Sequence, residues 1–195
     1  LGYKIAGLVP FTIPLSWFYL GLVSYIIARA GVAGGKGELN WVRQIGAIAL
    51  GALLLTAWDF VLDPAMSQTS VPFWEFEELG AFFGMPYRNL AGWMGTGALF
   101  MSVAAFFWRT RSIKLERSEM GLPLIVYLVN FAFGAIITVT SLDSRFWFPT
   151  SLAVLLGVVP AIVLSRIAKP AVDDITEAIP SLESALKAEI PSQRV

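Results

Sequence analysis

Long apolar runs are the feature of this sequence that most restricts its fold. Each run carries few charges or none over about 18 residues or more, which is typical of a helix that crosses a lipid bilayer. Five such runs can be drawn, over residues 5–30, 41–62, 91–108, 122–142 and 146–167. Only 14% of the residues are charged, against about 25% in a soluble domain. We therefore predict an all-α, polytopic transmembrane helical bundle of about five spans over residues 1–167.

The composition excludes several kinds of function. The net charge is zero, so no basic field points to nucleic acid as a partner. Cysteine is absent, which excludes disulfides, thiolate metal sites and a cysteine nucleophile. Histidine is absent too, which excludes histidine-held haem or zinc and triads with a histidine base. Any chemistry must therefore use carboxylates, hydroxyls, amides, lysine, arginine or aromatic side chains, and we predict no metal site.

Basic residues alternate between the predicted connections. Lys and Arg are frequent after the first span, after the third span and at the start of the polar tail, residues 168–195. The other two connections hold only Arg88 and Arg145. The positive-inside rule then assigns the basic loops and the tail to the cytoplasm. The first residue lies outside in this topology, so an odd number of further spans is expected upstream if the full-length protein starts in the cytoplasm. The tail contains one amphipathic stretch that is predicted as a short surface helix or as disorder.

Carboxylates cluster between residues 57 and 93, where Arg88 is the only basic residue. Asp59 and Asp63 are four residues apart, so both face one side of a helix, and at low dielectric one of them is expected to be protonated near neutral pH. A neutral carboxylic acid can donate a proton. In the alternative interpretation the two aspartates only end the helix at the membrane interface, with Pro64 stopping it. The same segment holds three glutamates, which a solvated surface would also explain: Glu75, Glu77 and Glu78.

Aromatic side chains are interleaved with these acids. They form either an aromatic belt at the membrane interface or an apolar slot whose ring faces stabilise a cation. The series consists of Trp58, Phe60, Phe73, Trp74, Phe76, Phe82, Phe83, Tyr87 and Trp93. The fourth span adds a polar stripe of Tyr127, Asn130, Gly134, Thr138 and Ser141 on one helical face. Asn130 is expected to face the bundle, where the stripe either joins helices or lines a site for water or for a polar substrate end.

Three groups of residues resemble the motifs of a known family. The first is Leu1 to Pro10 with the stretch Ile13-Pro-Leu-Ser-Trp-Phe18, and the second is Trp58-Asp59 with Leu62-Asp63-Pro64. The third is Phe83-Gly84-Met85-Pro86 followed by Asn89 and by Gly92-Trp93. The chain resembles, over about residues 1–167, the carotenoid-biosynthesis membrane proteins typified by bisanhydrobacterioruberin hydratase, the CruF-type carotenoid 1,2-hydratases.

The resemblance implies an activity and a substrate class. Members of that family add water across the terminal C1=C2 double bond of an acyclic carotenoid end group. They have many helices, including further helices upstream of the position that corresponds to Leu1. Hydration of an alkene needs an acid and a water, so no metal, flavin or nucleotide cofactor is expected. The substrate is an acyclic carotenoid within the lipid bilayer.

A hypothesis for the site combines this activity with the available side chains. Asp59 or Asp63 protonates C2, and a tertiary cation forms at C1 beside the tryptophans. Glu75 or Glu78 holds the water and removes its proton as it attacks C1. The residues expected to bind the substrate are Trp58, Trp74, Phe83, Tyr87, Asn89, Trp93 and Asn130.

Two other functions remain open on the sequence. The first is a non-catalytic carotenoid-binding subunit of a larger, for example photosynthetic, membrane complex, in which the acids are salt-bridged or solvated. The second is a small proton-coupled transporter in which Asp59 and Asp63 carry the proton, but such transporters usually have internal repeats and none is found. The expected location is an inner, plasma or photosynthetic membrane, either as a homo-oligomer or within a larger assembly.

Overall fold

The structure is a computed structural model, and it describes residues 3–7, 9–33, 40–78, 80–108 and 117–168. Strands β1 (Lys4–Ile5) and β2 (Val9–Pro10) form an antiparallel hairpin. The helices are α1 (Thr12–Ala33), α2 (Trp41–Ser67), α3 (Tyr87–Trp108), α4 (Gly121–Ser141), α5 (Trp147–Ala153) and α6 (Val159–Ile167). A π-helical segment, Val154–Val158, joins α5 and α6. Short 3₁₀ turns, Arg117–Met120 and Ser144–Phe146, precede α4 and α5.

Five helical segments of the described chain are long and apolar enough to cross a membrane. They are Thr12–Ala33, Trp41–Ser67, Tyr87–Trp108, Ser118–Ser141 and Ser144–Ile167. The predicted all-α membrane architecture is therefore confirmed. The assignment of the basic loops to the cytoplasm stays a prediction from charge. The polar tail, with its predicted surface helix, lies outside the described residues.

Three predicted helix boundaries were wrong by four residues or more. The third span begins at Tyr87 and not at residue 91, and proline explains the other two. The first span begins at Thr12 and not at residue 5, because Pro10 ends the hairpin and Pro14 falls in the first helical turn, where no backbone N–H is needed. The second span passes through Pro64 and ends at Ser67. In the last turn, the hydroxyl of Ser67 donates to the carbonyl oxygen of Asp63 at 2.7 Å. Asp63 therefore lies inside α2, and the alternative in which Pro64 stops the helix is wrong.

Helix α2 is the centre of the bundle. It packs against α1, α3, α4 and α5. Its second half is buried almost continuously, from Leu54 to Met66 with only Leu62 partly exposed. Any polar group on this half of α2 is consequently held inside protein and away from both water and lipid.

The polar stripe of α4 joins helices. Tyr127 donates its hydroxyl to the carbonyl oxygen of Leu54 at 2.8 Å, and Thr138 donates to that of Val61 at 2.9 Å. Asn130 faces the bundle as expected, where its Oδ1 accepts from the hydroxyl of Tyr19 at 2.9 Å. These bonds fasten α4 to α2 and α1 at a depth where water cannot satisfy the same groups.

Gly134 allows α4 to approach α2 closely, and this gives a first prediction. A Cβ atom at this position would lie 3.1 Å from the backbone of Val61. We expect Gly134→Leu to separate the two helices and to lower the melting temperature in detergent by roughly 5 °C or more. Ala132→Leu, on the exposed face of the same helix, is the matched control. Equal melting temperatures for the two variants would contradict the close approach.

Candidate active site

Two buried carboxyl groups lie side by side near the end of α2. Asp59 is 0% and Asp63 is 2% exposed, although aspartate is almost never fully buried without a partner. Asn89, in the first turn of α3, donates from Nδ2 to Oδ2 of Asp59 at 3.1 Å and also, more closely, to Oδ2 of Asp63. One side-chain amide therefore bridges both carboxyl groups. We call Asp59 and Asp63 the carboxyl pair.

The two members of the carboxyl pair differ in their remaining contacts. Oδ1 of Asp59 is buried and accepts no hydrogen bond from the residues that the structure describes. Asp63 has an additional hydrogen-bonding contact with Trp74, from the connection that follows α2. Within the part of the chain that the structure describes, neither carboxyl group forms an ion pair with Lys or Arg. The pair is thus held by neutral donors.

A tight turn before α3 brings Asn89 to the carboxyl pair. Gly80 donates its N–H to the carbonyl oxygen of Gly84 at 3.1 Å, and Phe82 and Met85 exchange backbone bonds of 3.2 and 2.9 Å. Phe83 and Gly84 close the turn with positive φ angles of 52° and 87°. The motif from Phe83 to Pro86 therefore determines where α3 begins.

An open cleft of about 350 Å³ lies on the other side of Asn89. The rings of Trp17 and Trp93 stack there, with centroids 4.0 Å apart and an interplanar angle of 18°. Trp58 packs edge-on against Trp93 at 5.8 Å. The lining consists of Trp17, Phe76, Pro86, Arg88, Asn89, Gly92, Trp93 and Thr96. Since Asn89 belongs both to this lining and to the bonds of the carboxyl pair, it separates the aspartates from the cleft.

Sequence comparison identifies the family. A family model described as "Carotenoid biosynthesis protein" matches residues 1–160. The chain belongs to the carotenoid biosynthesis protein family. It is also 31% identical over 160 residues to a protein named bisanhydrobacterioruberin hydratase from Haloarcula japonica. That alignment covers 80% of this chain and 50% of the relative, so the chain spans about half the length of the relative. No solved structure matches the chain.

Family membership confirms the resemblance derived from the three motifs and supports a carotenoid-modifying role. The second motif contributes the carboxyl pair, and the third contributes the tight turn together with Asn89 and Trp93. Two motifs far apart in the sequence therefore meet at one site. The first motif contributes Trp17, which lies against Trp93.

Several residues predicted to bind substrate lie elsewhere. Phe83 packs on Phe146 and Phe148, with ring centroids 5.9 and 5.8 Å away. Tyr87 is 64% exposed and does not line the cleft. Asn130 is engaged in the contact with α1, and Trp58 lies behind Trp93. The structure therefore places Phe83, Asn130 and Trp58 in contacts between elements and leaves Tyr87 at the surface.

The structure does not bring the predicted glutamates to the carboxyl pair. Glu75, Glu77 and Glu78 are all exposed, in the connection between α2 and α3. Glu78 forms an ion pair with Arg88 at 3.6 Å, with both side chains mostly exposed. Burial of additional carboxylates beside a pair without a cation would be costly. These three residues therefore lie on a solvated charged surface, as in the alternative interpretation of the sequence.

Six residues of the cleft were not predicted as site residues: Trp17, Phe76, Pro86, Arg88, Gly92 and Thr96. A signal for two of them was available, because Asn89, Gly92, Trp93 and Thr96 recur at helical spacing and share one face of α3. Trp17 belongs to the first motif, but its spacing within that motif did not show that it meets α3, since this contact depends on the packing of α1 against α3.

Proposed function

We propose that this protein is a carotenoid 1,2-hydratase, which adds water to the terminal C1=C2 double bond of an acyclic carotenoid. The observation that carries the proposal is a carboxyl pair that is buried beside an aromatic cleft and, among the described residues, has no cationic partner. Membership of a carotenoid biosynthesis family supports the substrate class, and the name of the relative supports the reaction. The reaction suits this site, because alkene hydration requires a proton donor and stabilisation of a cation.

Asp59 is the proposed proton donor. Two adjacent buried carboxyl groups cannot both be charged at reasonable cost when no cation neutralises them, so one of them holds a proton. Asp63 accepts the closer of the two hydrogen bonds from Asn89, and a donated hydrogen bond stabilises a carboxylate, so Asp63 is the proposed charged member of the pair. Asp59 has one oxygen that accepts no hydrogen bond from the described residues, and this oxygen is best suited to carry the transferable proton.

The aromatic wall is the proposed site of cation stabilisation. Protonation at C2 creates a tertiary cation at C1, and the face of a tryptophan ring attracts a cation within about 6 Å. Trp17 and Trp93 line the cleft as a stacked pair, and the ring face of Trp17 that does not contact Trp93 is the face proposed to meet the cation. Arg88 at the same cleft would oppose a cation, but its charge is partly balanced by Glu78.

Asp63 is the proposed base. One proton passes from Asp59 to C2, the oxygen of water bonds to C1, and one proton passes from that water to Asp63. Transfer of this proton back to Asp59, with which Asp63 is in hydrogen-bonding contact, restores the starting state. The proposal requires the side chain of Asn89 to turn aside when the substrate enters, because Asn89 separates the carboxyl pair from the cleft.

The alternative of a non-catalytic carotenoid-binding subunit would use the same cleft. Two carboxyl groups buried side by side, with no ion pair in the described part of the chain, favour catalysis, because carboxyl groups within a membrane span are usually functional.

The proposal is tested by expressing the full-length protein in a host that accumulates an acyclic carotenoid. We expect a product that is heavier by one water, and growth in heavy-oxygen water should label its new hydroxyl group. A host with the empty vector controls for background hydration. Purified protein that carries unmodified pigment, with no product in the host, would contradict hydration and favour the binding subunit.

A pair of glycines on α3 tests whether the cleft is the site. A Cβ atom at either Gly92 or Gly95 would meet no neighbouring atom within 4 Å, so both tolerate a larger side chain. Only Gly92 lines the cleft. We expect Gly92→Phe to reduce product formation about tenfold or more by occupying the substrate's place. Gly95→Phe should retain wild-type conversion, and equal activity of both variants would contradict this location.

A further inference from the structure

A second, larger groove adjoins the cleft. It measures about 590 Å³ and lies between the β1–β2 hairpin, α1 and α3. Its lining is Ile5, Ala6, Val9, Ile13, Pro14, Trp17, Phe18, Thr96 and Phe100, in which Thr96 has the only polar side chain. Trp17 and Thr96 line both the groove and the cleft. The two spaces therefore meet at these two side chains.

The cleft and the groove share one face of α3, and together they form a path along that helix. Asn89, Trp93, Thr96 and Phe100 follow one another on that face. At 1.5 Å per residue, the path from Asn89 to Phe100 extends about 16 Å along the helix. Its beginning is polar and lies beside the carboxyl pair, whereas its far part is apolar. An elongated ligand with one reactive end would match this arrangement.

We propose that the groove binds the polyene body of the carotenoid while the end group occupies the cleft. The inference rests on the proposed function for the identity of the ligand. It assigns a second subsite, in which Thr96 is the junction and the apolar walls of α1, α3 and the hairpin contact the conjugated chain. Recognition there is by shape and apolar contact, since the lining offers almost no hydrogen bonds.

The walls of the groove favour a specific apolar ligand over general lipid contact. The hairpin folds back beside the start of α1, with the N–H of Phe11 donating to the carbonyl oxygen of Tyr3 at 3.0 Å. At the far end, the rings of Phe18 and Phe100 meet edge to face at 6.1 Å. Three elements thus enclose a concave space, and this space continues into the cleft. The convex lipid-facing side of a single helix would offer neither feature.

The test is a side chain that closes the junction. Thr96→Trp adds bulk where the two spaces meet, and Leu99→Trp adds the same bulk to an exposed position of α3 that lines neither. Each variant of the full-length protein is given a full-length acyclic carotenoid or a short acyclic terpene with the same terminal double bond. For Ile13→Trp, which fills the groove but lies outside the cleft lining, we expect conversion of the carotenoid to fall about tenfold or more, with conversion of the short terpene changed by less than about twofold. Thr96 lines the cleft as well, so Thr96→Trp should lower conversion of both substrates. Leu99→Trp should convert both like the wild type.

Bound pigment provides a readout that does not depend on hydration. Protein purified from the carotenoid-accumulating host should carry less pigment for Thr96→Trp than for Leu99→Trp. Ile13→Trp, on the opposite wall, should reproduce this loss, so that the result does not depend on one variant folding well. Equal pigment in all variants, or equal loss of both substrates in Ile13→Trp, would overturn the groove as a polyene site and leave it as a lipid contact. If the groove variants lost pigment but the wild type hydrated no carotenoid, the groove would remain a polyene site and only the proposed reaction would be overturned.

Discussion

Replacement of Asp59 by Asn is expected to reduce carotenoid hydration by about 100-fold or more, which is the usual contribution of a general acid. Asparagine has nearly the same shape but cannot donate an acidic proton. The backbone of α2 and the bridge from Asn89 to Asp63 should persist, because only one oxygen of the pair is lost. We therefore expect the variant to bind pigment and to leave it unmodified. The ratio of hydrated to unmodified carotenoid in the expression host measures the effect.

Glu77→Gln is the matched control for this result. It removes a carboxylate from the same acid-rich segment, but Glu77 is exposed and lies outside the cleft lining. Its product ratio should equal that of the wild type. If Asp59→Asn formed as much product as Glu77→Gln at the same protein level, Asp59 would not be the acid. Asp63→Asn is expected to lose activity as well, since water would then have no neighbouring base.

Replacement of Gly80 by Ala is expected to have the largest effect on folding. A Cβ atom at this position would lie 1.8 Å from the carbonyl carbon of Met85 and 2.0 Å from the nitrogen of Pro86. No side-chain rotation can relieve a contact between backbone atoms, so the tight turn must open. We expect the melting temperature in detergent to fall by roughly 10 °C, together with a lower yield in the membrane fraction.

The same substitution should also impair the site, because the turn that contains Gly80 determines where α3 begins and hence where Asn89 lies. Gly95→Ala is the control: its added methyl group meets no neighbour, and alanine is the better helix former. Its melting temperature should equal or exceed that of the wild type. A Gly80→Ala variant as stable as Gly95→Ala would show that the turn is not closed in the way described.

The connection between α2 and α3 explains why two distant motifs form one site. The aspartates at the end of α2 and the amide at the start of α3 are about 30 residues apart in the chain, and the hydrogen bond between Asn89 and Asp59 joins them. Because α3 begins immediately after the tight turn, small changes in this connection would move the amide relative to the carboxyl pair. The exposed glutamates of the same connection do not constrain it in this way.

Local patterns in the sequence determined the membrane-spanning architecture and the carboxyl pair of the site. Apolar runs predict spanning helices because the bilayer requires a minimum length of uncharged helix, whatever the helices pack against. The spacing of Asp59 and Asp63 predicts their common face because the helical repeat is a local property. The absence of cysteine and histidine likewise restricted the chemistry before any contact was known.

The tertiary structure alone decided which side chains meet. It carried α2 through Pro64, brought Asn89 to the carboxyl pair, stacked Trp17 on Trp93 and left Glu75 and Glu78 at the surface. It also assigned Asn130 to the contact with α1. Contacts of this kind depend on how a connection closes and how neighbouring helices pack. The periodicity of one helix has no information about its neighbours, so these contacts could not be read from residue spacing.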